Sequence, residues 1–262
     1  LSEKSSQYGN YFKSLGVKRG DRVFIFLPRI PDLYLSFLGI LKIGAIAGTL
    51  FSAFKEQGLF DRLENSGAKV LITNSELKER VDKIKNKLKN LQKIVVVDDP
   101  LFQKELEKCS NKLRVAQMNP SDPAFMLYTS GTTGKPKGVI HKHLAILQEH
   151  LTAKWVLDMH DSDTYWCTAD PGWVTGIAYE ILGSWSNGVA AVVYAGRFNP
   201  DKWYQILEKY RVSLWYTAPT AIRMLMAAGF NLPKKYDLNN LRHLGSVGEP
   251  LNPEAIRWGL KT

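Results

Sequence analysis

The chain has 262 residues, 45% of them hydrophobic and 23% charged, enough apolar side chains for one sizeable core or two small ones, which excludes an overall disordered chain. An excess of 35 Lys and Arg over 25 Asp and Glu gives a net charge of +10; this suits nucleic acid, lipid headgroups or phosphorylated metabolites alike and does not choose among them. Cys109 and Cys167 lie far apart without metal or redox spacing, which implies no disulfide framework and points to free buried thiols in a reducing compartment.

In chain order, the opening LSEKSSQYGN is polar, has no starting Met and lacks the charged-then-apolar layout of a signal peptide, so a cytoplasmic location is expected. RVFIFLP (22–28) reads as a strand, Pro31-Asp32 opens a helix to about Lys42, and AIAGTLF (45–51) reads as extended. Leu33 to Phe54 has membrane length, but Lys42 and the glycines at 39, 44 and 48 interrupt it; a buried helix followed by a strand is expected, and no membrane span. KVLIT (69–73) and KIVVVD (93–98) are short β-rich runs flanking a lysine-rich segment. From Glu76 to Lys93 the residues Leu77, Val81, Ile84, Leu88 and Leu91 recur at steps of four and three, which predicts one helix with an apolar face and a solvated lysine face. No aromatic residues interleave with those lysines, so the stacking platform of single-strand nucleic-acid binding is missing.

AFMLYT (124–129) reads as a strand, and the pattern then sharpens: AAVVYA (190–195), a helix from Asn199-Pro200 to about Tyr210, VSLWYT (212–217), a helix from about Thr220 to Ala228, and LRHLGSV (241–247). Asn199 as cap with Pro200 at the first helical position is a strong start signal. Strands separated by single helices predict an α/β fold with mainly parallel sheets flanked by helices. Ligands of such sheets sit beyond the carboxyl ends of the strands, which singles out the loops after Tyr128, Thr217 and Val247.

The first of those loops is rich in chemistry. In YTSGTTGKPKGVIH (128–141), Gly131, Gly134 and Gly138 let the backbone turn and bring N–H groups close to a bulky anion. Thr129, Ser130, Thr132 and Thr133 add hydroxyl donors, and Lys135 and Lys137 add positive charge, a set suited to a polyphosphate. It is not the P-loop, because Pro136 follows Lys135 where Ser or Thr is required and Thr129 stands where the earlier glycine belongs. Elsewhere, His141 and His143 share a strand face without a third ligand, so no metal site is expected. Asp170 before Pro171 reads as a turn former. Arg197 and Arg223 either meet ligand phosphates or pair with surface acids, and stay outside the predicted site.

YTSGTTGKPKGV resembles the phosphate-binding signature of the adenylate-forming superfamily. The segments YWCTADPGWVTGIAYEILGSWSNG (165–188), WYTAPTAIRMLM (215–226) and SVGEPLNPEAIRWG (246–259) are similar to its acetyl-CoA synthetase branch, as are LGVKRGDRV and LPRIPDLYLSFLGILKIGA nearer the start. The resemblance implies an α/β fold like the large N-terminal domain of these enzymes. It implies acetate activation with MgATP to acetyl-AMP and pyrophosphate, then acetyl transfer to coenzyme A, so that ATP, Mg²⁺ and CoA are the expected small molecules. On this chain it implies that Thr129, Ser130, Gly131, Thr132, Thr133, Gly134, Lys135 and Lys137 hold the ATP phosphates. Gly248, Glu249 and Pro250 would lie along the adenine, and Trp173, Val174, Thr175 and Val247 would line a small, stiff acyl pocket that fits a methyl better than a longer chain.

After Thr262 there is no counterpart of the family's W-x-T-E-T-G segment, its ribose-binding aspartate, or the C-terminal domain whose lysine drives adenylation. The expectation is therefore a truncated N-terminal domain with possible subdomains of about 1–120 and 121–262, about half of the nucleotide site, and no turnover by these residues alone. The catalytic residue and the oligomeric state are not assigned. Two alternatives stand beside this reading: an AMP-forming ligase for propionate or another short acid, and a basic nucleotide- or nucleic-acid-binding module.

Overall fold

Short, nearly continuous β-branched and aromatic runs produce two sheets, each in its own compact unit. The structure is a computed structural model, and it describes residues 1–129 and 134–261. The first unit comprises Leu1–Ala145 with Pro171–Trp173, and the second Ile146–Asp170 with Val174–Thr262. The sequence points to a division near residue 120; the units divide at 145.

The first unit runs α1 (Ser2–Ser14), β1 (Arg22–Phe26), α2 (Pro31–Lys42), β2 (Ile46–Thr49), α3 (Glu56–Ser66), β3 (Val70–Thr73), α4 (Ser75–Asp82), β4 (Lys93–Val96), α5 (Pro100–Glu107), β5 (Pro123–Thr129) and β6 (Lys137–Lys142). Its sheet has the order β4-β3-β1-β2-β5-β6. Every pair is parallel except β5 with β6, which is antiparallel. The parallel strands β1 and β3 are buried almost throughout, as strands with helices on both faces must be. Phe24, Phe26, Leu59, Leu63, Leu71 and Tyr128 share one core beneath α3 and α4. The stretch 33–54, long enough for a membrane, is instead the buried helix α2 followed by strand β2, and no helix among the described residues is long and apolar enough to cross a membrane.

One expectation is corrected here. The lysine-rich segment is not a single helix to Lys93: α4 stops at Asp82 and a 3-10 turn covers Lys85–Lys87. Continuing the helix would stack Lys83 on Lys87 and Lys85 on Lys89, like charges one turn apart. The broken path still delivers Leu77, Val81, Ile84 and Leu88 to the core.

The second unit is built from α6 (Ala145–Trp155), β7 (Thr164–Cys167), a π-helix (Gly176–Gly183) running into α7 (Ser184–Ser186), β8 (Ala190–Val192), α8 (Pro200–Lys209), β9 (Leu214–Thr217), α9 (Pro219–Ala227), β10 (His243–Ser246) and α10 (Pro253–Gly259). Its sheet, β10-β9-β7-β8, is wholly parallel. Alternate residues go to opposite faces. Trp166 and Trp215 stack at 5.8 Å over one core with Trp203 and Trp258, while Tyr165, Cys167, Leu214 and Tyr216 face another with Leu157 and Met159. The start of α8 is as expected: Asn199 Oδ1 accepts from Lys202 N at 2.9 Å and Pro200 follows it. Arg242, entering β10, grips Asp163, entering β7, through Nε–Oδ1 at 2.9 Å and Nη2–Oδ2 at 2.6 Å. Burial alone would push the Asp163 carboxyl up, but the Arg242 and Ser213 hydrogen bonds hold it down to about 2.

Candidate functional site

In the first unit, β5 ends at Thr129 and β6 resumes at Lys137, its direct partner across the ladder, with Tyr128 opposite Gly138. The polar stretch is thus the connection of an antiparallel pair at the carboxyl end of β5. Ser130, Gly131, Thr132 and Thr133 lie outside the described residues. Thr129, Gly134, Lys135 and Lys137 are exposed, and Gly134 has φ +83°, a backbone conformation that favours glycine. Among the described residues no carboxylate forms an ion pair with Lys135 or Lys137. Both charges therefore stand ready for an anion.

The loop has a fixed base. The Tyr128 ring is buried, and its hydroxyl lies 2.8 Å from Asn65 Oδ1 and 3.0 Å from Arg62 O. Burial pushes this phenol up to about 12, so it acts as an anchor and not as a proton source. The sequence suggests that Gly138 helps the backbone turn. It lies instead within β6, where a β-carbon would stand 2.1 Å from Met126 Cε and 3.2 Å from Tyr128 Cζ. Its missing side chain lets β6 cross the anchored ring.

Residues 171–173 are docked onto the same unit. Thr49 Oγ1 donates to Pro171 O at 2.6 Å. A β-carbon on Gly172 would stand 2.3 Å from Phe51 N, so only glycine fits that passage. Trp173 is held with its ring 5.8 Å from Phe51 and 6.1 Å from Phe54, yet remains 40% exposed. It forms the open edge of an aromatic cluster and not a core residue.

The second unit gathers the other predicted residues at the carboxyl ends of β7, β9 and β10. Thr168 N donates to Tyr216 O at 3.0 Å, Val247 N donates to Thr217 O at 3.1 Å, and the Thr168 and Thr217 hydroxyls meet at 2.6 Å. Val247 packs at the margin of the Tyr165–Tyr216 core. Gly248 has φ +93° and open space around it, which turns the chain sharply after β10. Glu249 accepts from Thr220 Oγ1 at 2.6 Å and from Arg223 Nη2. Those two hydrogen bonds hold its carboxyl below the usual range. With the Glu249 side chain engaged by α9, the 248–250 turn stays exposed to solvent. Pro250 is exposed in that turn, Val174 is half exposed, and Thr175 directly precedes the π-helix with helical backbone and no side-chain cap hydrogen bond.

Arg223 thus pairs with a loop acid, one of the two roles the sequence leaves open for it. Thr168 and Thr217 meet only through the parallel register of β7 and β9, and Thr220 meets Glu249 only through the turn after β10, so neither contact shows in a window of neighbouring residues. His141 stacks on Phe125 at 4.5 Å, and burial lowers its pKa, as it does for His143. Among the described residues no three His, Cys, Asp or Glu side chains converge on a metal position.

The profile of a family described as AMP-binding enzyme matches residues 1–262. The chain is 50% identical to an acetyl-coenzyme A synthetase of Bacillus subtilis, covering 100% of this chain and 47% of that protein. It is 42% identical to an acetyl-coenzyme A synthetase of Methanothrix thermoacetophila, covering 98% and 43%. Among solved structures it is similar to a Brucella canis acyl-CoA synthetase, with a TM-score of 0.90, 32% identity, and coverage of 98% of this chain and 48% of that one. It is also similar to the anthranilate CoA ligase AuaEII in complex with anthranoyl-AMP, with a TM-score of 0.91, 28% identity, and coverage of 100% and 51%. The chain spans about half the length of the curated relatives it matches.

Proposed function

The chain belongs to the AMP-binding enzyme family, and from that membership we propose that it is part of an AMP-forming ligase that activates acetate and passes it to coenzyme A. The observation that carries this is the loop between β5 and β6, anchored below by Tyr128 and flanked above by two lysines without ion-pair partners among the described residues. The identity to acetyl-coenzyme A synthetases supports acetate as the acid.

In the proposed first step an acetate oxygen bonds to the α-phosphorus of ATP, the bond from that phosphorus to its bridging oxygen breaks, and pyrophosphate leaves. In the second, the coenzyme A sulfur bonds to the acyl carbon, AMP leaves, and the thiol proton is lost to solvent. Negative charge has to be held on the departing pyrophosphate, and Thr129, Ser130, Gly131, Thr132, Thr133, Gly134, Lys135 and Lys137 are the residues proposed to hold it, a task of positioning and electrostatics. Gly248, Glu249 and Pro250 are proposed to lie along the adenine. Trp173 in the first unit, and Val174, Thr175 and Val247 in the second, are each proposed to face the acyl group, where stiff aliphatic and indole surfaces favour a methyl. Mg²⁺, as part of MgATP, would be held chiefly by the phosphates of the nucleotide and water and would neutralise charge on the departing pyrophosphate. A cytoplasmic setting suits Cys109 and Cys167, between which no disulfide forms.

The test is acid-dependent ATP–pyrophosphate exchange on the full-length protein with acetate, propionate, butyrate and octanoate in parallel. Acetate is expected to support the fastest exchange. Replacing Thr133 and Lys137 together by Ala is expected to raise the KM for ATP and to lower kcat by about 10²-fold. Unchanged kinetics in that double variant at saturating acetate would remove the phosphate role from the loop.

A further inference from the structure

Arg62, on α3, holds a half-buried guanidinium against two aromatic rings. Its Cζ stands 4.0 Å from the centroid of Phe54 and 5.8 Å from that of Tyr128. Nη1 donates to Gly58 O at 2.8 Å, while Nε is buried without a hydrogen-bond partner. No carboxylate among the described residues forms an ion pair with it. Burial accordingly lowers its pKa from the ordinary arginine value. A charged group taken partly out of water without a counter-ion is unfavourable, and an arginine on a surface helix has the length to reach solvent instead. The inward position is explained by what it touches: a flat cation between ring faces is a favourable and geometrically restrictive contact.

Those two rings belong to different parts of the site. Tyr128 is the last buried residue of β5, directly before Thr129, and is fixed from the α3 side by Asn65. Phe54 lies in the segment after β2 and meets Trp173 edge-on at 6.1 Å and 68°. Arg80 Nη1 holds the backbone of this segment at Ser52 O and Phe54 O, at 2.8 and 3.1 Å. Its backbone is thus set by one arginine and its Phe54 ring by another.

We infer that Arg62 is a positioning residue that fixes Phe54, and through it Trp173, relative to Tyr128 and the strand leading into the phosphate loop, and so sets which acids the site accepts. This rests on the proposal above that Trp173 faces the acyl group. A lysine would keep the charge but not the plane that stacks on Phe54, and a methionine would keep only the stem.

The test uses the full-length protein labelled with 5-fluorotryptophan, with the Trp173 resonance assigned by Trp173→Phe, and compares wild type with Arg62→Met and Arg62→Lys. Arg62→Met is expected to shift or broaden the Trp173 resonance and to change the acetate-to-propionate ratio of kcat/KM by about tenfold. Arg62→Lys is expected to do so to a smaller degree, and it carries the test where Arg62→Met does not fold. A helix-stabilising role alone would lower the melting temperature and leave that ratio in place. An unmoved Trp173 resonance in a folded variant overturns the inference whatever the ratio does. A moved resonance with an unmoved ratio upholds the coupling of Arg62 to Trp173 and instead overturns the placement of Trp173 against the acyl group. Should wild type exchange pyrophosphate with none of the acids, the ligase reading fails, and the resonance still decides the Arg62 coupling.

Discussion

At Gly172 a methyl group has nowhere to go: the intruding neighbours are the Phe51 N and Cα and the Leu50 carbonyl carbon, at 2.3, 2.4 and 2.8 Å, and backbone cannot rotate aside as a side-chain tip can. Gly248 presents the opposite situation, a positive φ of 93° with no atom within 4 Å of the place a methyl would take. The same substitution therefore probes two different forces. Gly172→Ala is expected to cost about 1–3 kcal/mol through overpacking, and to raise the KM for the acid because Trp173 must shift with it. Gly248→Ala is expected to cost about 1–2 kcal/mol through backbone conformation alone and to act on ATP. Urea midpoints with separate KM values for acid and nucleotide check both, and an acid KM that moved with Gly248 but not with Gly172 would reverse these assignments.

The pairing of α6 with the π-helix raises a question of charge. Glu149, on α6, is only 7% exposed, its Oε2 has no hydrogen-bond partner, and burial pushes its pKa from 4.5 to about 7. Gly183, on the π-helix, packs where its β-carbon would meet Ala153 Cβ at 3.1 Å and Glu149 O at 3.4 Å, so α6 lies close along it. A carboxyl with a raised folded-state pKa binds more protons folded than unfolded between pH 4.5 and about 7, so stability falls as pH rises through that window and levels off above it. The shift corresponds to about 3 kcal/mol. Glu149→Gln is expected to abolish this part of the pH dependence and to raise stability at pH 8 far more than at pH 5, as read from urea midpoints at the two values. An equal gain at both would mean that Glu149 finds a partner or water when ionised. The same helix shows why some elements are not legible in the sequence. In α6 the buried residues are Glu149 and Ala153, while Leu147 and Trp155 face outward, so its hydrophobic pattern reads backwards. In α1 the core-facing residues include Ser5, Ser6 and Gln7, which carry no apolar period. The π-helix, GIAYEILG, is apolar nearly all round and hides its own pitch. Elements whose signals are local, such as the Asn199-Pro200 start of α8 and the β-branched strands, are legible for that reason. So is the glycine-, threonine- and lysine-rich stretch 128–141, as a motif. The Thr220–Arg223–Glu249 clamp and the Arg62 stack join residues far apart in sequence, which no window of neighbouring residues can display.

At the scale of the whole molecule, the net charge of +10 is what the alternative of a basic module for nucleic acid rests on, and membership of the AMP-binding enzyme family does not favour that alternative. The described structure bears on where that charge is. In the lysine-rich α4 region Lys78 and Lys85 both pair with Asp82, at 2.5 and 2.9 Å, and Lys83 pairs with Glu56 at 2.7 Å. Exposed pairs of this kind contribute little to stability, but they reduce the field a polyanion would follow, and no aromatic platform accompanies them. Lys135 and Lys137, by contrast, have no ion-pair partner among the described residues and stand where the chain enters β6, opposite Thr129. The consequence is measurable as competition. At about 150 mM salt, micromolar oligonucleotide is expected to leave acetate-dependent exchange within about twofold of its control rate, because non-specific affinity at that ionic strength is weak. At low salt the same oligonucleotide is expected to slow exchange by raising the KM for ATP, since both polyanions would compete for the lysines of the loop. Tight binding that persisted at the higher salt, with no exchange under either condition, would favour the nucleic-acid module over the ligase.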